Sequence, residues 1–206
     1  GDKINTMNFV FRSSDNSKQT NDLFISVYED GLQIQISEPA ANAIVAISDT
    51  VKIVASSSIE ASLKLFLNDS LLSETTGTTI SSEYTFSDSE NYWLIAEATA
   101  DSTVRDSVSV SVRPAIIEVT KPDAYKKGIN YTSDNSAALV LWAPLKEFVY
   151  VIGEFNNWQV SNDYLMKKDG DYFWLDIANL EKGKEYAFQY LIDGNLKIAD
   201  PYSEKV

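Results

Sequence analysis

The sequence predicts an all-β protein made of tandem β-sandwiches, and three observations carry that prediction. Apolar side chains recur with period two, most plainly in Ser107-Val108-Ser109-Val110-Ser111-Val112, where valines take one face and serines the other. No segment shows the 3.6-residue apolar spacing of an amphipathic helix. Turn residues separate the alternating runs: Asn68-Asp69, Asp169-Gly170 and Asp193-Gly194 fall where hairpins must reverse, and glycine accepts positive φ without steric cost. Short strands joined directly by such turns bury their apolar faces by packing sheet on sheet.

With 206 residues the chain has room for one large domain or two to three small ones, and the strand spacing favours the latter. Apolar residues make up 44% of it, enough for real cores. A formal charge of −13 argues against nucleic acid and anionic lipid as partners, because phosphate would be repelled. The absence of cysteine and histidine removes disulfides, thiolate nucleophiles, Cys/His zinc sites and histidine-based triads. No apolar run approaches the roughly 20 residues that span a bilayer, so membrane insertion is not expected, nor is a cofactor. A start at Gly1 instead of a methionine is expected of either an excised or a processed chain, so the missing leader excludes nothing.

Residues 1–36 hold two strand-like runs, Met7 to Arg12 and Leu23 to Tyr28, around the polar stretch Ser13 to Asp22. Two strands cannot enclose a core, so this segment is expected to be the remnant of an upstream module or an added sheet edge. Residues 37–114 turn rich in Ser, Thr and Ala and carry strands at Val51–Ala55, Leu63–Leu67, Tyr92–Ala98 and Ser107–Val112. That spacing predicts an immunoglobulin-like sandwich, without the Cys…Trp…Cys signature, closed by Arg113-Pro114 because proline cannot continue a ladder. Residues 115–206 start a second sandwich at Ile116–Thr120 and continue it through Ala137–Trp142, Phe148–Gly153, Tyr172–Asp176 and Tyr190–Ile192. Trp93 and Trp142 lie in apolar strands and are expected in the cores.

Three pieces of this last segment belong together: Gly153-Glu154-Phe155-Asn156-Asn157-Trp158, the Asp193-Gly194 hairpin, and Ala199-Asp200-Pro201-Tyr202. As a set they resemble the early-set, immunoglobulin-like sandwich of the α-amylase superfamily. This is carbohydrate-binding module family 48, found also as the glycogen-binding domain of the AMP-activated kinase β subunit. In such proteins the sandwich precedes a catalytic barrel and Asp-Pro-Tyr leads into it. The resemblance therefore implies a non-catalytic N-terminal arm of a secreted or surface α-glucan hydrolase, amylase- or pullulanase-like. Its expected partners are starch or glycogen, bound weakly, and a downstream barrel. The expected location is extracellular, cell-surface or periplasmic in a bacterium. A looser likeness links Met7–Arg12 and Leu23–Gly31 to the end of a starch-binding-type module.

Trp158 beside Asn156 and Asn157 has the composition of a sugar platform, since a sugar packs its C–H face on an aromatic ring and leaves its hydroxyls to amides. The other reading folds Trp158 back over Phe155 as a cap. The family's second tryptophan platform corresponds to Leu196 here, and its lysine partner to Gln189. Those two departures imply weak binding, near or worse than about 1 mM, or only about −4 kcal/mol. Trp174 is open between two parities: exposed beside Tyr172 it would make another platform, and buried it would pack against an adjoining domain. The loop with Asp15, Asn16, Asn21 and Asp22 lacks the ligand spacing of a calcium site. Thirty carboxylates offer many chance pairs. A glycosidase, though, needs two facing each other across a cleft, and an amylase-type site needs a (β/α)₈ barrel of about 250 residues. The alternatives to a glucan-binding arm are a purely structural spacer and a cell-surface interaction protein.

Overall fold

A computed structural model of the protein describes residues 6–15, 17–26 and 31–203. Among these, the first strands are β1 (Thr6–Phe9), β2 (Leu23–Ser26), β3 (Ile34–Glu38), β4 (Ala43–Ala46), β5 (Thr50–Leu67), β6 (Ser70–Thr85), β7 (Asn91–Thr99) and β8 (Thr103–Arg113). There follow β9 (Gly128–Ser133), β10 (Ser136–Trp142), β11 (Val149–Gly153), β12 (Lys167–Asp169), β13 (Tyr172–Ile177), β14 (Phe188–Ile192) and β15 (Leu196–Ile198). The helical content described is two 3₁₀ turns, Glu154–Asn156 and Asn162–Tyr164. The protein is all-β, as the alternation requires. The chain divides into two compact units. One takes Gly1–Ala41, Val51–Tyr84 and Trp93–Ser109, and the other Asn42–Thr50, Thr85–Tyr92 and Val110–Val206.

In the first unit β1 and β2 form an antiparallel pair, Thr6 opposite Ser26 and Phe9 opposite Leu23. Val27 and Tyr28, expected to extend the second of these strands, lie outside the described residues, as does Asn16 of the polar loop. In that loop Asp15 accepts hydrogen bonds from the Ser13 hydroxyl and from the amide and hydroxyl of Ser17, at 2.6, 3.0 and 2.8 Å. The larger sheet here has β5 flanked by β3 and β7, with β6 also paired to β5. Ile53, Ala55, Leu63, Leu65 and Leu67 of β5 are buried, all of one parity. The segment between the two expected strands is Ser-rich and keeps Ser57 and Ala61 inward, although Ile59 of the same parity is exposed, and the two runs fuse into one strand. Strand β6 is mostly Ser, Thr and Glu and contributes Ile80 to the buried set. Its weak apolar pattern hides it from sequence reading. Trp93 corrects an expectation. The register Leu67↔Leu94 and Leu65↔Ala96 turns Leu94, Ala96 and Ala98 inward, which puts Trp93 on the opposite face, 55% exposed.

The second unit contains β4, which runs parallel along β8 from Ala43↔Val110 to Ala46↔Arg113. Its two sheets are β12-β13-β10-β9 and β11-β14-β15, all antiparallel. Leu139, Leu141, Phe173 and Leu175 from one sheet meet Val149, Val151, Tyr190 and Ile192 from the other in a single core. The outer face of the three-stranded sheet carries Tyr150, Ile152 and Leu191, covered by Ile44, Ile116, Val160 and Leu165. Both hairpins turn where expected, Gly170 at φ 58° and Asp193-Gly194 at φ 48° and 75°. The stretch expected as a full strand at Ile116–Thr120 is instead a strap. It makes one parallel bridge, Glu118 to Lys168, flanked by the bonds Val119 N–H to Lys168 O and Lys168 N–H to Ile117 O.

Candidate functional site

The loop that follows β11 is built by its own motif, residue by residue. Gly153 is where the chain passes closest to β14: a Cβ there would sit 2.6 Å from the Ala187 carbonyl oxygen and 2.8 Å from Phe188 Cβ. Glu154 fastens the loop to the same segment. Its amide donates to Ala187 O at 3.0 Å, and its carboxylate accepts from the Ala187 amide at 3.1 Å. Phe155 turns inward, stacked on Tyr164 at 5.2 Å and tilted against Tyr186 at 6.3 Å. Asn156 ties the turn shut, accepting from the Gly153 amide at 2.8 Å and donating to Val151 O at 2.9 Å. Asn157 and Trp158 then both take left-handed backbone, φ 54° and 60°. The Trp158 amide donates to Gly153 O at 2.8 Å, so the residue's backbone is held while its indole stays 44% exposed.

Every motif residue before Trp158 thus serves the construction of the turn, and the indole is what the turn presents. Left-handed φ is costly for a bulky residue and is the preserve of Gly, Asn and Asp. Asn157 fits that rule, and Trp158 does not. A side chain kept at such a position is a pointer to function, since backbone strain of this kind concentrates at binding sites. Phe155, which one reading places beneath Trp158, packs its ring on Tyr164 and Tyr186.

The other candidate positions are distributed by register. Gln189 pairs with Ile152, on the outer face and next to the loop. Leu196 pairs with Ile192, whose side chain belongs to the core face, at the far end of β14. Paired residues share a face and neighbours along a strand alternate, so Gln189 and Leu196 lie on opposite sides of the sheet. Leu196 is 46% exposed and supplies no aromatic ring. Trp174 is 5% exposed: its indole N–H donates to Val119 O at 3.1 Å under the strap, the Lys167 ammonium lies 4.1 Å from its ring centroid, and Tyr125 meets it edge-on. It presents no face to solvent and makes no platform with Tyr172.

Trp142 corrects the second core expectation. It shares the outer face of Val140, but it is the last residue of β10 and stays 45% exposed, paired with Tyr172. Lys127 places its ammonium 5.3 Å from the Trp142 ring centroid and 5.9 Å from that of Tyr202. The signal available in the sequence was the ladder's end one residue before Ala143-Pro144.

Electrostatics fix the hairpin and the C-terminal turn differently. Burial pushes the Asp193 carboxyl up, but the Glu147 and Phe148 amides and Lys146 outweigh it and hold it below the ordinary value. Asp200 is raised by burial, the Tyr202 amide offsetting it only in part. Its Oδ2 and the Tyr190 hydroxyl are buried without a hydrogen-bond partner among the described residues. Burial likewise pushes the Tyr150 hydroxyl up, to about 12.

Part of the chain is similar in sequence to known proteins. The chain is 36% identical over 98 residues to the 1,4-alpha-glucan branching enzyme GlgB of Clostridium perfringens, covering 43% of this chain and 15% of that enzyme. It is 31% identical over 84 residues to the GlgB of Fusobacterium nucleatum, covering 39% and 14%. The chain therefore spans about a seventh of the length of these curated relatives. A pullulanase from Anoxybacillus aligns over 80% of this chain and 26% of its own at 12% identity, with a TM-score of 0.32. Residues 126–203 match the family model described as carbohydrate-binding module 48, the isoamylase N-terminal domain. Trp158 and the turn that carries it lie within that matched segment.

Proposed function

We propose that this chain is a non-catalytic accessory arm of an α-glucan-active enzyme and that its Trp158 loop binds starch or glycogen weakly. The observation that supports this most directly is an exposed indole held at positive φ by a turn whose other residues are occupied in building it. The family of residues 126–203 supplies the ligand class. Binding is weak because Leu196 offers no second ring and lies on the other side of the sheet from Gln189. One aromatic contact adds only about 0.5–1.5 kcal/mol beyond its burial.

The parent enzyme in this reading is an amylase- or pullulanase-like hydrolase acting outside the cytoplasm. The curated relatives are branching enzymes, and a transferase of that kind is the reading their similarity favours instead. The immunoglobulin-like part is a spacer, and residues 1–36 are the end of an upstream module. Affinity electrophoresis in gels cast with amylopectin or glycogen tests the sugar-binding reading. Wild type is expected to be slightly retarded and Trp158→Ala to migrate as in gels without glucan. Equal mobility of both proteins in every gel overturns it.

A further inference from the structure

The surface of the second unit carries an open cleft of about 320 Å³, lined by residues 89–91 and by residues 160–163, which follow Trp158 in the chain. Its walls are fixed before any ligand arrives. Asn162 joins them, accepting from the Tyr150 hydroxyl at 2.9 Å and donating to Ser89 O at 3.1 Å. The 85–92 turn is anchored by buried Phe86 and by two bonds, Ser48 N–H to Phe86 O at 2.9 Å and Val112 N–H to Glu90 O at 2.8 Å. Val160 packs on the cluster of Tyr150, Ile152 and Leu191 and so secures the other wall.

The lining also includes Asn91, Ser161, Glu90 and Asp163, whose side chains make no hydrogen bond among the described residues. Hydroxyl, amide and carboxylate together suit a ligand made of hydroxyl groups. Two carboxylates in a lining that holds no lysine or arginine disfavour phosphate, sulfate and uronate, which points to a neutral ligand. Ser161 is three steps along the chain from Trp158, so their Cα atoms are at most about 11 Å apart, which puts the cleft within reach of an oligosaccharide stacked on the indole.

We propose that this cleft is a second subsite, which hydrogen-bonds the sugar units of a neutral α-glucan continuing beyond the unit on Trp158. The inference rests on the reading of Trp158 as a platform. The cleft's size falls at the lower end of the range for small-ligand sites, and its lining, polar except for Val160, suits a ligand of hydroxyl groups instead of the apolar ligands such sites more often take. The subsite makes affinity depend on chain length, and it draws on residues outside the matched family segment, Asn91 among them.

The test titrates wild type, Trp158→Ala and the double variant Asn91→Ala/Ser161→Ala with linear maltooligosaccharides from maltotriose to maltoheptaose, read by calorimetry and by amide resonances. Wild-type affinity is expected to rise roughly tenfold with length, the worth of about two net hydrogen bonds. The double variant, with an unchanged melting temperature, keeps wild-type affinity for maltotriose and loses the gain. The Asn91 and Asn162 resonances shift with maltoheptaose and stay still with maltotriose. Wild-type affinity that is flat with length, or a gain that survives in the double variant, overturns the subsite while leaving Trp158-dependent binding intact. Absence of any binding by wild type overturns the platform reading and this inference with it.

Discussion

Trp158 and Trp174 belong to the same domain, and their fates are opposite. Trp174 lies mid-strand in β13 and is covered: the strap crosses it, Val119 accepts its indole proton, and Lys167 and Tyr125 close its flanks. Trp158 lies in a turn whose polar and aromatic residues are directed away from it, toward Ala187, Tyr164, Val151 and Gly153. The contrast teaches that a tryptophan's role here is decided by what the neighbouring backbone lays over it. A strand position admits a cover, because a second chain segment can run alongside. A tight left-handed turn offers no such neighbour.

The comparison breaks most visibly at Trp174. Replacing it by alanine empties the space beneath the strap and leaves the Val119 carbonyl without its donor, so Trp174→Ala is expected to cost about 3–5 kcal/mol. Urea unfolding measures this, and a loss under about 1 kcal/mol would show that the strap is not held by the ring. Glucan retardation of the folded fraction should be unchanged. Asn156→Ala comes next. It strands the Gly153 amide and the Val151 carbonyl, for a loss of about 1–3 kcal/mol, and it loosens the turn, so glucan retardation should fall with stability. Retardation that stayed at the wild-type level would separate the indole from the turn beneath it.

A change of opposite sign is expected at Asp200. Burial raises its pKa in the folded state above the unfolded value, so the folded form holds the proton more tightly. Its contribution to stability is full below the unfolded carboxyl value and is lost as pH rises through the folded one. Asp200→Asn removes that charge and keeps the oxygen that accepts from the Tyr202 amide. The variant should be more stable than wild type at pH 7 and indistinguishable from it at acid pH. Thermal melts across that range check it, and a variant less stable at pH 7 would mean that the buried carboxylate is paired.

How much of this was legible beforehand differs between the same regions. Period-two runs such as Ser107–Val112 declared their strands because one face is valine and the other serine, and Asp193-Gly194 declared its turn by chemistry alone. Strand β6 was not legible, since Ser, Thr and Glu pair with β5 through backbone groups that any residue carries. Trp93 and Trp142 were misjudged because apolar surroundings in sequence do not fix parity or reveal where a ladder ends. At the site, the motif located the turn and Trp158. Neither the strap over Trp174 nor the cleft beside residues 160–163 could be read, because each joins segments remote in sequence.

The smallest expected change in stability is also the one that divides the two readings of Trp158. If the indole were a cap on the sandwich end, Trp158→Gly would lose its packing and destabilise the domain by several kcal/mol, as buried aromatic deletions do. If it is a platform, the mutation removes a half-exposed ring and relieves the left-handed backbone at φ 60°, where glycine has no Cβ to clash. The backbone relief, about 1–2 kcal/mol, then opposes a modest loss of contact and a gain in unfolded-chain entropy. Stability should stay within about 1 kcal/mol of wild type while glucan retardation disappears. Urea unfolding and affinity electrophoresis on the same preparation read the two quantities independently. A stable variant that no longer feels the glucan is the outcome a platform requires, and a cap cannot produce it.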